Sequence, residues 1–175
     1  MKADHRHEKD SLLIGRFQPF HNGHLEVVRK ISAASEKLTI GIGSAQNSHT
    51  VNNPFTAGER YRMISNTLKE EGLSAYIIPI EDLNRYSVWV SHVVSMSPPF
   101  SVVYSNNTLT RRLFLEAGFE IKDSPLYNRP EFCGTEVRRR MLQDEDWRAL
   151  VPKAVADVVE DIDGIERIKG LSDDV

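Results

Sequence analysis

Gly-Arg-Phe-Gln-Pro-Phe-His-Asn-Gly-His, residues 15–24, is the stretch that decides how this chain folds. A short apolar run at residues 12–14 precedes it. Apolar residues at helical spacing follow it, at Val27, Val28 and Ile31. The pattern predicts a buried strand, a loop and a helix in direct succession.

The loop at residues 15–24 carries groups that suit phosphate. Backbone N–H groups and the positive end of the helix dipole would face whatever lies above the loop. Gly15 permits a close approach to the backbone, and Arg16 supplies a planar guanidinium for phosphate oxygens. His21 and His24 are three residues apart and can face the same way at the helix start. The loop therefore predicts a donor-rich pocket for an oxyanion.

Two other interpretations of this loop stay open at this point. It could be a plain connection, although an Arg, two aromatic residues and two His exceed what a turn needs. It could also bind zinc through its His-x-x-His spacing, but a zinc site needs about three or more protein ligands. The remaining histidines lie elsewhere in the sequence, at His5, His7, His49 and His92. We favour the phosphate interpretation.

Composition limits the class of protein. At 175 residues, 40% apolar and 27% charged, the chain is expected to form one domain over residues 11–175, helical from about residue 134. The net charge of -3 argues against nonspecific nucleic-acid binding. The single cysteine, Cys133, excludes an internal disulfide and fits the cytoplasm, and no apolar run reaches a membrane-spanning length. Residues 1–10 are polar and mixed in charge, so we expect a disordered extension and no signal peptide.

Strand and helix patterns alternate along the chain from Ser11 onward. Such alternation predicts a parallel sheet with covering helices, which binds its ligands at the carboxyl ends of the strands. The predicted strands are residues 12–14, 38–42, 75–80, 101–105 and 119–121, the last of them at the sheet edge.

One helix start carries a clear signal and an unexplained charge. Thr56 and Glu59 form a capping-box pattern, and Gly72 ends the helix that follows. Arg60 lies in the first turn, where the helix dipole disfavours a cation. Either an anionic ligand or a surface salt bridge is therefore expected beside Arg60, and the sequence favours neither.

Two helices are predicted near the end of the chain. Thr135 lies at a helix start, and Arg138 projects from its first turn, while the basic residues 139–140 are expected on a solvated face. A last helix with one apolar stripe is framed by Pro152 and Gly164, for packing on the sheet or on a partner chain. The remaining tail gives no structural signal.

Several motifs together resemble one enzyme family. His21-Asn22-Gly23-His24 resembles the H-x-G-H signature of nucleotidylyltransferases, and with the residues before it is similar to the archaeal-type nicotinamide mononucleotide (NMN) adenylyltransferases. The resemblance continues in Gly-Ser-Ala-Gln at 43–46, Pro-Phe-Thr-Ala-Gly-Glu-Arg at 54–60, the segment around Trp89, and Gly-Thr-Glu-Val-Arg-Arg-Arg-Met at 134–141. It covers about residues 11–170.

The resemblance implies a fold, a reaction and a set of site residues. The fold is α/β, a doubly wound Rossmann-like five-stranded parallel sheet with helices on both faces and a C-terminal helical segment. The reaction is transfer of AMP from ATP to NMN, which forms NAD and pyrophosphate by in-line attack without a covalent enzyme intermediate. Mg²⁺ would accompany ATP, held by phosphate and water and by no protein ligand. The resemblance also implies a homo-oligomer, and family members of this type often assemble as hexamers.

The implied site residues fall into two groups. The ATP-binding group, in which Arg16, His21, His24 and Arg138 are catalytic, is Gly15, Arg16, Phe17, His21, His24, Ser105, Asn106, Thr135 and Arg138. The NMN-binding group is Ser44, Ala45, Tyr86 and Trp89, with the Trp89 indole stacked on the nicotinamide ring.

Three residues depart from the family pattern. Tyr86 stands where relatives tend to carry Asn, Asn106 where they usually carry Gly, and Cys133 where they normally carry Ser. Asn tolerates left-handed dihedrals, so the turn at Asn106 is expected to form. The Cys133 thiol is a weak donor without a paired base in sequence reach, so we expect it to be inert and one phosphate contact to be lost.

Rival functions share the H-x-G-H signature. Pantetheine-phosphate adenylyltransferases, cytidylyltransferases and tRNA-charging synthetases also carry it. Trp89 and residues 54–60 favour the pyridine nucleotide, and the net charge of -3 disfavours tRNA. A module that senses ATP or NAD without turnover is the alternative from another class. The presence of Arg16, both histidines and Arg138 argues against it.

Overall fold

The central strand, β1 (Ser11–Gly15), is buried on both faces, with neighbouring residues Leu12 and Leu13 in separate core clusters. Side chains alternate along a strand, so a strand covered on both faces reads as a continuous apolar run. The computed structural model describes residues 9–124 and 130–173. Most of the expected extension at 1–10, and the loop residues 125–129, lie outside this description.

All five strands are parallel. The others are β2 (Leu38–Ile42), β3 (Tyr76–Pro79), β4 (Val102–Tyr104) and β5 (Glu120–Lys122), and the order across the sheet is β3-β2-β1-β4-β5. The chain therefore moves outward from β1 in one direction and then, with β4, in the other. Ligands of open α/β sheets bind in the crevice at this reversal, beyond the carboxyl ends of the strands.

Helices cover both faces of the sheet, which confirms the predicted doubly wound α/β fold. The helices are α1 (Asn22–Ala34), α2 (Ala57–Glu71), α3 (Tyr86–Met96), α4 (Thr108–Glu116), α5 (Gly134–Leu142), α6 (Lys153–Asp161) and α7 (Gly164–Asp173), with a 3₁₀ turn at Arg148–Leu150. Apolar residues of α3 and α4, such as Val93 and Phe114, pack on one face of the sheet. Apolar residues of α1, α2 and α5 to α7 pack on the other face.

The second helix begins and ends as its sequence predicts. The Thr56 side chain accepts from the Glu59 N–H, the Glu59 carboxylate accepts from the Thr56 N–H, and Gly72 closes the helix at φ 65°. A left-handed residue of this kind favours glycine. Among the described helices, none is long and apolar enough to cross a membrane.

The prediction for the end of the chain is wrong in one respect. The apolar stripe of α6 packs against α2, as part of the larger core cluster. That helix ends at Asp161, however, and Gly164 begins α7, so the tail is structured. Ile168 of α7 is buried, and Arg167 donates to the Glu59 carboxylate at 2.7 and 2.8 Å. The tail thereby holds the start of α2.

Candidate active site

A cavity of about 370 Å³ opens at the carboxyl ends of β1 and β4, the point where the strand order reverses. Three segments line it: the loop after β1 with the start of α1, the loop after β4, and the first turn of α5. The fold brings all nine residues of the expected ATP-binding group to this one cavity, Gly15, Arg16, Phe17, His21, His24, Ser105, Asn106, Thr135 and Arg138. Arg138 and the two histidines therefore converge, although more than a hundred residues separate them.

The two imidazoles cap the helix that carries them. The His21 Nδ1 accepts from the His24 N–H at 3.3 Å, and the His24 Nδ1 accepts from the His21 N–H at 3.2 Å. The rings stack, with their centroids 3.5 Å apart. A neutral imidazole that accepts at Nδ1 carries its proton on Nε2. Each ring therefore has one N–H left to donate, and the backbone fixes which nitrogen it is.

Burial keeps both rings neutral. Desolvation lowers the pKa of His21 to about 4, and desolvation together with the neighbouring His21 lowers the pKa of His24 well below its ordinary value. Phe17 packs edge-on against His24, with ring centroids 4.8 Å apart. The pair therefore consists of neutral hydrogen-bond donors near pH 7.

Arg138 is the buried cation of the cavity. It is 8% exposed, its Nη1 donates to the Gln18 carbonyl at 2.7 Å, and its Nη2 donates to the Thr135 hydroxyl at 3.5 Å. Burial, followed by the charge of Arg16, lowers the pKa of Arg138. A Cβ on Gly134 would lie 2.9 Å from the Arg138 Nη1 and 3.2 Å from the Gln18 carbonyl oxygen, so a side chain there would displace the Arg138 guanidinium. Arg16 is exposed at the rim, so one guanidinium is held in place and the other is at the entrance.

The loop after β4 is tied to the end of β5. The Asn106 amide donates to the Ser124 carbonyl at 2.6 Å and accepts from the Ser124 N–H at 3.0 Å. Arg111 adds a second tie, because it donates to the Ser105 carbonyl and pairs with Asp123. The chain turns here from β4 into α4 as expected, without a left-handed dihedral at Asn106, and the Asn106 amide holds this turn to Ser124.

The first turn of α5 separates a cavity face from a solvent face. Cys133 is the N-cap residue and lines the cavity, and among the described residues its side chain makes no capping hydrogen bond. Arg139 and Arg140 both bind the Glu136 carboxylate, and neither lines the cavity. The expected solvated face of this basic run is therefore present.

The expected NMN-binding group lies outside the cavity, over β2 and β3. The Ser44 hydroxyl donates to the Asp82 carboxylate at 2.6 Å, and the Ala45 N–H donates to the Ile80 carbonyl at 3.1 Å. Tyr86, in the first turn of α3, is 62% exposed. Trp89 meets Phe114 edge to face, with ring centroids 5.6 Å apart. The fold thus places these residues at the same edge of the sheet as the cavity, beside it.

Arg60 has an environment that the sequence did not reveal. It is fully buried, and its guanidinium donates to backbone carbonyls of the loops after β1 and β2. Neither expectation for it, an anionic ligand or a surface salt bridge, is correct. The sequence showed only an unpaired cation in a first turn. Five of the six carbonyls that accept from Arg60 lie 13 to 44 residues earlier in the chain, so the sequence could not identify them.

Comparison with known proteins gives the family. The model of the cytidylyltransferase-like family matches residues 12–140. Nicotinamide-nucleotide adenylyltransferase from Methanolobus tindarius is 54% identical over 159 residues, which is 91% of this chain and 92% of that protein. The enzyme of the same name from Halobacterium salinarum is 56% identical over 160 residues, 91% of this chain and 90% of that one. The chain belongs to this family, with the archaeal-type NMN adenylyltransferases.

A solved structure adds a likeness of fold to the family assignment. The bifunctional NMN adenylyltransferase/ADP ribose pyrophosphatase from Francisella tularensis, solved with AMP and a manganese ion, superposes with a TM-score of 0.74 at 23% identity. The match covers 93% of this chain, which spans 52% of the length of that bifunctional protein. The family's fold is thus reproduced by the five strands and the helices that flank them.

Proposed function

We propose that this protein transfers the adenylyl group of ATP to NMN, forming NAD and pyrophosphate. One observation carries the proposal: two imidazoles that must donate from Nε2 and the Arg138 guanidinium line a single cavity. The relatives that are 54% and 56% identical over nine-tenths of the chain bear the name of that activity.

The reaction needs positioning and positive potential more than it needs a protein nucleophile. In an in-line attack, the NMN phosphate approaches the α-phosphorus of ATP opposite the leaving pyrophosphate, so negative charge grows on phosphoryl oxygens. Donors that are oriented before the reaction stabilise that charge without reorganisation. His21 and His24 donate to α and bridging oxygens, and Arg16 and Arg138 bind the triphosphate. We propose no covalent enzyme intermediate.

The proposed site has two halves. The ATP half is the cavity lined by residues 15–24, 105–107 and 133–138. The NMN half is Ser44, Ala45, Tyr86 and Trp89, at the ends of β2 and β3. Parallel strands end at one edge of the sheet, so the two halves adjoin above β1 and β2. The indole of Trp89, half-buried at the edge of the smaller core cluster, would stack on the pyridine ring.

The donor set of the cavity suits phosphate and does not suit an Mg²⁺ ion held by protein ligands. Its lining contains imidazole, guanidinium, amide, hydroxyl and thiol groups without a carboxylate. The described residues also contain no group of three His, Cys, Asp or Glu residues that could hold an ion. Mg²⁺ would therefore enter with its nucleotide, as the Mg·ATP substrate, and would supply positive charge to the phosphate oxygens.

The decisive experiment is a pyrophosphate-release assay with ATP and NMN. We expect release that depends on both substrates, with NAD as the product. Parallel reactions replace NMN with nicotinic acid mononucleotide, phosphopantetheine or, with CTP as donor, choline phosphate. If the protein binds a nucleotide but releases pyrophosphate in none of these reactions, the proposal is rejected and the protein is a sensing module.

A further inference from the structure

Arg60 joins three segments of backbone through one side chain. Its Nη1 donates to the Arg16 carbonyl at 2.8 Å and to the Gly43 carbonyl at 2.9 Å. Its Nη2 donates to the carbonyls of Ser44, Ala45 and Asn47 at 3.2, 3.4 and 3.4 Å, and its Nε donates to the Thr56 carbonyl at 3.2 Å. The guanidinium therefore links the loop after β1, the loop after β2 and the start of α2.

The linked loops belong to different halves of the site. Arg16 lies on the ATP half, and Ser44 and Ala45 lie on the NMN half. Both loops also contain a left-handed residue that is not glycine, Phe17 at φ 52° and Ser44 at φ 46°. Such backbone is strained for a residue with a side chain and persists only where surrounding contacts impose it. The hydrogen bonds from Arg60 to backbone carbonyls provide such contacts in both loops, at Arg16 and at Ser44.

The chemistry of arginine is specific to this task. A planar fork with five N–H donors can serve several carbonyls at once, whereas the ammonium of lysine is a compact point charge. The charge of Arg60 is balanced here by backbone carbonyls, and burial followed by the charge of Arg16 lowers its pKa to about 10. It stays protonated at neutral pH.

We propose that Arg60 is a positioning residue that fixes the ATP half against the NMN half. It would touch neither substrate. Its effect would be on the separation and angle between the attacking phosphate and the α-phosphorus. This inference rests on the proposed function, because it concerns the alignment of the two substrates of that reaction.

The experiment separates alignment from binding. In Arg60→Lys the charge is kept and the fork is lost, and in Arg60→Met the stem is kept without charge. We expect kcat to fall by about 100-fold in both variants, since a shift of about 1 Å in a reacting group can cost that much. The Kd of NMN alone, and of a non-hydrolysable ATP analogue alone, should change by less than about threefold, because each half-site keeps its own ligand contacts.

Arg62 provides the matched control, two residues away on the same helix. Its side chain is 48% exposed and pairs with Asp161 at 2.7 Å, at the surface. Arg62→Lys and Arg62→Met should keep wild-type kcat. Far-UV circular dichroism at the assay temperature gives the folded fraction of every variant.

Each outcome decides the role of Arg60. Folded Arg60 variants with kcat near that of the wild type would overturn the proposal, and so would equal losses in kcat and in the affinity for either substrate alone. Variants that are inactive because they are unfolded would assign Arg60 to folding and reject the positioning role. A wild-type protein without pyrophosphate release would instead reject the proposed function itself.

Discussion

The ATP half and the NMN half of the proposed site differ in how their functional groups are held. In the ATP half, His21 and His24 cap a helix with their own rings, and Arg138 is pinned to the Gln18 carbonyl. In the NMN half, Tyr86 is 62% exposed, and Trp89 is partly buried where it packs against the smaller core cluster. The first half is formed before a ligand arrives, whereas the second leaves Tyr86 accessible and Trp89 partly accessible.

This difference separates two tasks. Charge stabilisation at a transition state requires donors that do not have to reorient, so rigidity is useful where phosphate reacts. Recognition of a flat ring requires an accessible face, and stacking tolerates some freedom. We therefore expect loss of a phosphate-binding donor in the ATP half to lower kcat, and loss of an aromatic group in the NMN half to raise the KM for NMN.

The largest effect is expected at His24. His24→Ala removes one oriented Nε2–H donor, and kcat for pyrophosphate release should fall by about two orders of magnitude or more. It also removes the acceptor for the His21 N–H, a capping contact whose loss costs about 1 kcal/mol. Steady-state kinetics and urea unfolding measure the two effects separately. Near-normal turnover in the folded variant would show that the ATP half does not act as described.

Acid should destabilise the protein through the same imidazoles. In the unfolded chain a histidine titrates near pH 6.5, whereas burial lowers the pKa of His21 to about 4 in the fold. Between these values the unfolded state binds more protons, so the free energy of unfolding falls as the pH falls. By pH 5 the loss from His21 should be roughly 2 kcal/mol.

The matched variant for this measurement is His21→Asn. Asn is also a good N-cap residue, and it does not titrate. Urea unfolding between pH 7 and pH 5 should therefore show a shallower pH dependence for the variant than for the wild type. Equal slopes would mean that His21 is charged in the folded protein, contrary to the neutral donor pair.

The NMN half should respond to Trp89→Ala in binding. Loss of the stacking partner should raise the KM for NMN by about tenfold, since base–aromatic stacking contributes about 1–3 kcal/mol. The KM for ATP should stay within about twofold. Trp89→Phe keeps an aromatic face, so its KM for NMN should lie between the values for the wild type and for Trp89→Ala. If Trp89→Ala lowers the thermal midpoint while both KM values stay unchanged, Trp89 is a core residue and the NMN half lies elsewhere.

Cys133→Ser should have the smallest effect. The thiol lines the ATP half as an N-cap residue, and a hydroxyl in its place is a better hydrogen-bond donor. Activity should be unchanged or rise slightly, and the capped α5 should be a little more stable. Complete loss of activity would reveal a role for the thiol that the geometry does not indicate.

The sequence predicts what is local and misses what is distant. The capping box of α2, the β1–loop–α1 unit and the edge position of β5 follow from neighbouring residues, and all three are confirmed. The family resemblance is confirmed as well. Arg60 was interpreted incorrectly, because its acceptors lie up to 44 residues away. The bonds between Asn106 and Ser124, 18 residues apart, were not predicted for the same reason. Gly164 was taken as a helix end because glycine is a common stop signal, although here it begins α7.

The roles assigned to individual site residues, together with the hexamer, stay predictions. Convergence of Arg138 on the two histidines follows from the order of the strands, which no short motif contains. The motifs identified the chemical groups, and the topology determines which of them share a cavity.

The reciprocal bonding of His21 and His24 has an evolutionary consequence. Both rings cap the start of α1 and also line the phosphate pocket. A diverged protein that no longer bound the substrate would therefore still be under selection to keep both histidines, because they stabilise the helix. The presence of both histidines in a diverged relative would therefore be weak evidence that the relative is still an active enzyme.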